Sequence, residues 1–187
     1  MNRGPLVGVT MSMTIDATPE RAYVNSAYLH AVQQAGGVPV LLPPQLSAAS
    51  LERLGRGLDA LLLTGGGDMD PSHFGESPHP TLYEVAHSQK ETRDQPTHKV
   101  TVTPGSRLAR VMGADEVEVN SFHHQVIKSL GRGLTAVAWA PDHLIEGVEL
   151  EDGTRWVLGV QWHPEHLTKD SEPARRLFAA LVTAART

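Results

Sequence analysis

An α/β fold with an open, mostly parallel sheet and helices on both faces is the architecture this 187-residue sequence predicts, on three observations. Short apolar runs alternate with helix-period segments through the first third of the chain. The run Ala60–Leu63 is uninterrupted and apolar, as expected of a strand buried on both faces. Directly after it comes Thr64-Gly65-Gly66-Gly67-Asp68, at the carboxyl end of a strand, where open sheets hold their ligands. The second half carries shorter runs with alternating patterns, which predict antiparallel additions to the sheet.

In order, Leu6–Val9 is the first predicted strand. Thr18-Pro19-Glu20 offers an N-cap, a proline for the first helical position and an acid for the first turn, so a helix is expected to begin there. Val24, Ala27, Tyr28, Ala31, Val32 and Ala35 recur at three- and four-residue steps, and Gly36-Gly37 stops the pattern. Val38–Leu42 is the second strand, and a short helix around Ser50–Leu54 leads into the third. Later, Lys99–Val102, Glu116–Val119, Thr135–Ala140, Leu144–Glu149 and Trp156–Gln161 read as strands. A closing helix spans Ser171–Ala185, with Leu177, Phe178, Leu181 and Val182 as its buried stripe.

A 40% hydrophobic share is enough for one compact domain, read as residues 1–187. The net charge of −5, with 16 basic and 21 acidic residues and no block of like charges, predicts no nucleic-acid or membrane partner. A small-molecule ligand is expected instead. No signal-like or membrane-spanning apolar stretch stands out, so the expected location is cytoplasmic. With no cysteine, disulfides and thiolate metal sites are excluded.

The strongest local signal is Gly159-Val160-Gln161-Trp162-His163-Pro164-Glu165, an apolar strand ending in a histidine and a carboxylate two residues apart. Such a pair can supply a base and the acid that orients it, although a His-Pro-Glu turn at a strand end is more often structural. The glycines Gly65, Gly66 and Gly67 let backbone N–H groups approach a bound oxygen, as an oxyanion hole requires, although a tight turn explains them equally well. The loop has neither a dinucleotide fingerprint nor a P-loop ending. A third cluster, Asn120, Ser121, His123, His124 and Gln125, gathers hydrogen-bonding side chains after a strand, as a polar-substrate pocket needs. Adjacent histidines diverge in direction, and no His-Glu-x-x-His helix accompanies them, so neither metal nor cofactor is expected.

The segments AVQQAGGVPVLLPP, LLLTGGGDMDP, PGSRLARVMG, VNSFHHQ, VAWAPD and GVQWHPEH, in this order, resemble the bacterial γ-glutamyl-γ-aminobutyrate hydrolases. That family lies within the class I glutamine amidotransferase-like, flavodoxin-like fold. The resemblance implies a cysteine nucleophile on a strand-to-helix elbow, His163 as its base, Glu165 as the orienting acid, oxyanion backbone from Gly65 to Gly67, and substrate contacts around Asn120–Gln125. It implies a γ-glutamyl or glutamine-like ligand.

One βα unit is missing from the pattern: after Gly75-Glu76-Ser77-Pro78-His79-Pro80 the chain runs directly into Thr81-Leu82-Tyr83, where the family carries a helix, a strand, the cysteine elbow and another helix. The polar, proline-rich stretch Asp68–Lys99 is abnormally long for a loop in a compact domain, which fits such a loss. Ser72, Ser88 and Ser121 are the serines considered as substitutes. The sheet is expected to close the gap with Thr81–Val85 or to cover it in a homo-oligomer. Three functions stay open: a silent family member that still binds ligand, an active hydrolase whose nucleophile segment lies outside this sequence, and an interaction module.

Overall fold

The computed structural model describes residues 3–14, 18–68, 70–74, 85–150 and 155–186. They form two compact units, Met1–Gly66 with Thr168–Thr187, and Gly67–Leu167.

The first unit is a three-stranded parallel sheet built from β1 (Leu6–Thr10), β4 (Val38–Leu42) and β5 (Ala60–Leu62), in the order β4-β1-β5. Its register sets Val7 beside Pro39 and Ala60, and Val9 beside Leu41 and Leu62. Helix α1 (Ser26–Gln34) and helix α4 (Glu172–Ala184) pack together, and Val7, Val9, Val32 and Val182 are fully or almost fully buried. Gly37 allows this approach, since a Cβ there would lie 3.0 Å from both Val182 and Val32. Helix α2 (Ala48–Gly55) joins β4 to β5 across β1, so right-handed crossovers put it on the face opposite α1. There the cover is thin: α2 buries none of its residues, and a cavity of about 530 Å³ lined by Leu42, Leu51, Leu58 and Leu61 remains.

Two expectations for this unit change. Helix α1 begins at Ser26, not near Thr18, because Ala22–Tyr23 (β3) pairs in an antiparallel ladder with Ser12–Met13 (β2), and the Arg21 N–H donates to Thr14 Oγ1. Backbone committed to that ladder cannot also turn helical; Asn25 caps the helix, its side chain accepting from the Ala27 N–H. The third strand is not buried on both faces: Leu61 is 52% exposed and Leu63, just past the strand, 72%. β5 pairs with β1 on one edge, and among the described residues no strand pairs with the other. Of the segment expected to fill that edge, residues 81–84 lie outside the described residues, and the Val85 N–H donates to Asp142 Oδ2 rather than to a strand.

The second unit has a sheet of its own, with five strands that are antiparallel throughout. These are β6 (His98–Val102), β7 (Glu116–Val119), β8 (Leu134–Trp139), β9 (Ile145–Leu150) and β10 (Leu158–Val160), in the order β10-β9-β8-β6-β7. A helix the sequence reading did not include, α3 (Arg107–Met112), sits between β6 and β7. Its signals were local: Ser106 accepts from the Ala109 N–H at 3.0 Å, and Gly113 closes the helix at a left-handed φ of 73°. Leu108, Ala109 and Met112 bury its inner face over β9, where Gly147 leaves room for Leu108.

Candidate active site

β10 carries the chain into Gln161 and Trp162, whose ring is buried, and then into the 3-10 helix Pro164–His166. Pro164 takes its first position, which suits a fixed φ and a missing N–H. At this turn His163 Nδ1 lies 2.7 Å from Glu165 Oε1. Glu165 is 3% exposed, while the His163 side chain keeps 17%. A carboxylate accepts only, so the neutral imidazole holds its proton on Nδ1 and leaves Nε2 as the basic atom. The local i, i+2 arrangement therefore brings together the imidazole and carboxylate that the sequence singled out.

Asn120 fastens this turn from 43 positions away. Its Oδ1 accepts from the His163 N–H at 2.9 Å, and its Nδ2 donates to the His163 carbonyl at 3.0 Å and to the Arg93 carbonyl at 2.6 Å. Asn120 is fully buried, so it holds the backbone of His163 in place, a role the sequence did not indicate. Arg93 in turn stacks its guanidinium 4.3 Å from the centroid of the Phe122 ring, and that ring lies edge-on to His163 at 5.9 Å. His166 Nε2 is 3.5 Å from Glu165 Oε1. Burial pushes the His166 pKa below its ordinary value; Glu165 opposes this, and the positive charge of Arg93, with that of His163 when its ring is protonated, adds to it.

Ser121 is fully buried; its hydroxyl donates to the His87 carbonyl at 2.8 Å and its N–H to Gln89 Oε1 at 2.7 Å. His123 turns inward, its Nδ1 2.9 Å from the Gln125 carbonyl, which also accepts from Gln161 Nε2. His124 is exposed. Of the other serines, Ser88 is exposed and bridges to Phe122 through its backbone, and Ser72 is exposed, its N–H donating to Asp70 Oδ1. The glycine loop is exposed; the Gly65 N–H donates to the Tyr28 hydroxyl at 3.0 Å, and Thr64 anchors the loop to Thr10 through both its N–H and its hydroxyl.

Beyond the sequence reading, β6, β9 and the loops beside them bring His87, His98, His123, Asp142 and Glu146 into one largely buried group. Burial alone would lower the His87 pKa, but hydrogen bonding and charge from Glu146 and Asp142 outweigh it and the pKa rises. For Glu146 burial pushes up, yet the surrounding imidazoles hold it well below the ordinary carboxylate value. No helix among the described residues is long and apolar enough to cross a membrane.

Comparison with known proteins bears on both units. A solved structure from Thermoplasma acidophilum, assigned to a GMP synthase, superposes with a TM-score of 0.64 over 99% of this chain and 96% of its own, at 17% identity, and so shares the fold. Protein NtpR of Enterococcus hirae is 29% identical over 235 residues, covering 93% of this chain and 96% of its own. A Mycobacterium tuberculosis protein assigned as a glutamine amidotransferase is 31% identical over 236 residues, covering 97% of this chain and 75% of its own. The γ-glutamyl-γ-aminobutyrate hydrolase PuuD of Escherichia coli K12 is 26% identical over 237 residues, covering 96% and 93%. These three alignments are longer than the 187 residues available here, so each relative has residues with no counterpart in this chain. The peptidase C26 family profile matches in two pieces, residues 5–87 and 81–165. On that match the chain belongs to the peptidase C26 family, within the class I glutamine amidotransferase-like group.

Proposed function

We propose that the chain is a catalytically silent member of the γ-glutamyl hydrolase type that keeps its proton-transfer pair and its capacity for a γ-glutamyl or glutamine-like ligand. One observation carries this reading: His163 and Glu165 stand 2.7 Å apart in a sequence that contains no cysteine. In the resembled chemistry a thiolate attacks the γ-glutamyl amide carbon, the amine leaves with a proton from the imidazole, and water then cleaves the acyl-enzyme. Without sulfur the first step has no nucleophile, and no acyl-enzyme forms for water to cleave.

Two further observations support the reading. The two pieces of the profile match overlap at residues 81–87, next to the point where the sequence lacks the elbow unit, and the relatives' alignments require extra residues. Ser121 does not offer a replacement, since its hydroxyl is buried and engaged with the His87 carbonyl. The group's proton acceptor is then a remnant that can still hydrogen-bond a ligand.

The test is amine release from γ-glutamyl amides, run alongside calorimetric titration with glutamine and γ-glutamyl-γ-aminobutyrate. Binding without turnover is expected. Hydrolysis that is lost in His163→Asn would overturn the silent reading, and an intact mass above 20.2 kDa would assign that activity to a segment outside this sequence.

A further inference from the structure

The second unit holds an arrangement that the His163–Glu165 pair does not use. Glu146, on β9 and fully buried, points its Oε1 at three imidazoles: His87 Nδ1 at 3.2 Å, His123 Nε2 at 3.5 Å and His98 Nε2 at 3.7 Å. The side chains of His87 and His98 are 1% and 5% exposed. Both Glu146 oxygens, His123 Nε2 and both ring nitrogens of His98 are buried, and the imidazoles approach Glu146 at 3.2–3.7 Å without the geometry of a regular hydrogen bond. A buried ionised carboxylate left so is costly, and three rings aimed at it call for a shared positive charge.

The outer partners define which atoms face inward. His87 Nε2 is 3.1 Å from Asp142 Oδ2, and His123 Nδ1 is 2.9 Å from the Gln125 carbonyl. Both partners accept only, so in the neutral rings those nitrogens carry the protons, and His87 Nδ1 and His123 Nε2 turn lone pairs toward Glu146 Oε1. Lone pairs converging on an anionic oxygen repel unless a ring proton or a metal cation lies among them. A carboxylate or backbone carbonyl on the far nitrogen is also how metal-bound histidines are oriented.

We propose that His87, His123 and Glu146 form a binding site for one divalent transition-metal cation of the zinc class, with Asp142 and the Gln125 carbonyl orienting the two imidazoles. Distances and charge agree. With zinc–nitrogen and zinc–oxygen bonds near 2.0–2.1 Å, the ligand atoms of a tetrahedral site stand roughly 3.3–3.5 Å apart, close to the 3.2 and 3.5 Å from Glu146 Oε1 to His87 Nδ1 and His123 Nε2. Ligand atoms of His87, His123 and Glu146 all fall within 4.8 Å of one another. The carboxylates of Glu146 and Asp142 balance a charge of +2, so the buried site ends neutral. Two imidazoles and one carboxylate without sulfur suit zinc, and cobalt and nickel in turn. Three protein ligands fasten the chain at His87 and the turn after β7 to β9 and leave the fourth tetrahedral position open.

The chelator-stripped full-length protein is titrated with Zn²⁺ in competition with a chromophoric chelator, and with Co²⁺ while visible absorption is recorded. One equivalent of Zn²⁺ per chain, the intense d–d bands of tetrahedral Co²⁺, and a Tm that rises with Zn²⁺ are expected. Glu146→Gln and His123→Gln lower the affinity more than tenfold, and Asp142→Asn, which leaves all three ligands in place, by about 10–100-fold. His163→Asn separates this site from the neighbouring His163–Glu165–His166 group and leaves the equivalent intact. Failure of the stripped wild-type protein to bind stoichiometric Zn²⁺ overturns the proposal whether or not the variants fold. So do octahedral Co²⁺ spectra, or binding that survives Glu146→Gln and disappears in His163→Asn.

Discussion

Replacing Asn120 by alanine tests how the candidate base is held. The side chain makes three hydrogen bonds, at 2.9 Å from the His163 N–H, 3.0 Å to the His163 carbonyl and 2.6 Å to the Arg93 carbonyl. At about 1 kcal/mol each they sum to about 3 kcal/mol, and the fully buried position keeps water from taking over the orphaned groups. For a chain of this length that loss lowers Tm by roughly 6–12 °C. Urea unfolding followed by circular dichroism reads the free energy, with an unchanged m-value as the sign that only the native state lost stability. Asn120→Asp keeps the acceptor but turns the donor into an oxygen facing two carbonyls, and it falls at least as far. A cost for Asn120→Ala below about 1 kcal/mol would show that the His163 turn holds itself and that the clamp is incidental.

Two further outcomes follow from the same structure. Because burial, the largest cause, lowers the folded-state pKa of His166, its contribution is complete above the unfolded value near 6.5 and is lost as pH falls toward and through the lowered folded value. The stability of the wild type therefore declines on acidification from pH 7 to pH 5 more steeply than that of His166→Gln; parallel pH profiles would remove His166 from the cause. Leu61 and Leu63, 52% and 72% exposed at the outer edge of β5, form an apolar face suited to a second copy. The double change Leu61→Lys, Leu63→Lys is expected to shift the light-scattering mass toward monomer, and a wild type already monomeric at high concentration would argue against association through that edge.

Features written in neighbouring residues were legible before any coordinates. The parallel β4-β1-β5 core follows from apolar runs separated by a helical period, and the His163–Glu165 pair from two residues on one turn. Even the helix missed in the sequence reading, Arg107–Met112, has its cap residues, Ser106 and Gly113, immediately beside it. The false helix start at Thr18 shows the limit of such signals: a cap sequence is permissive, and pairing of Arg21–Tyr23 with Ser12–Thr14 overrode it.

The sequence alone determined the family pattern, the absence of a thiol and the identity of the imidazole–carboxylate pair, since each depends on residue type or on spacing within a single turn. Only the tertiary structure decided that Asn120 clamps His163, that Ser121 is sealed away, and that His87, His98, His123 and Glu146 converge. Those relations join residues tens of positions apart. Their meeting depends on strand register and on how loops turn between strands, quantities that the pattern of any one segment leaves open.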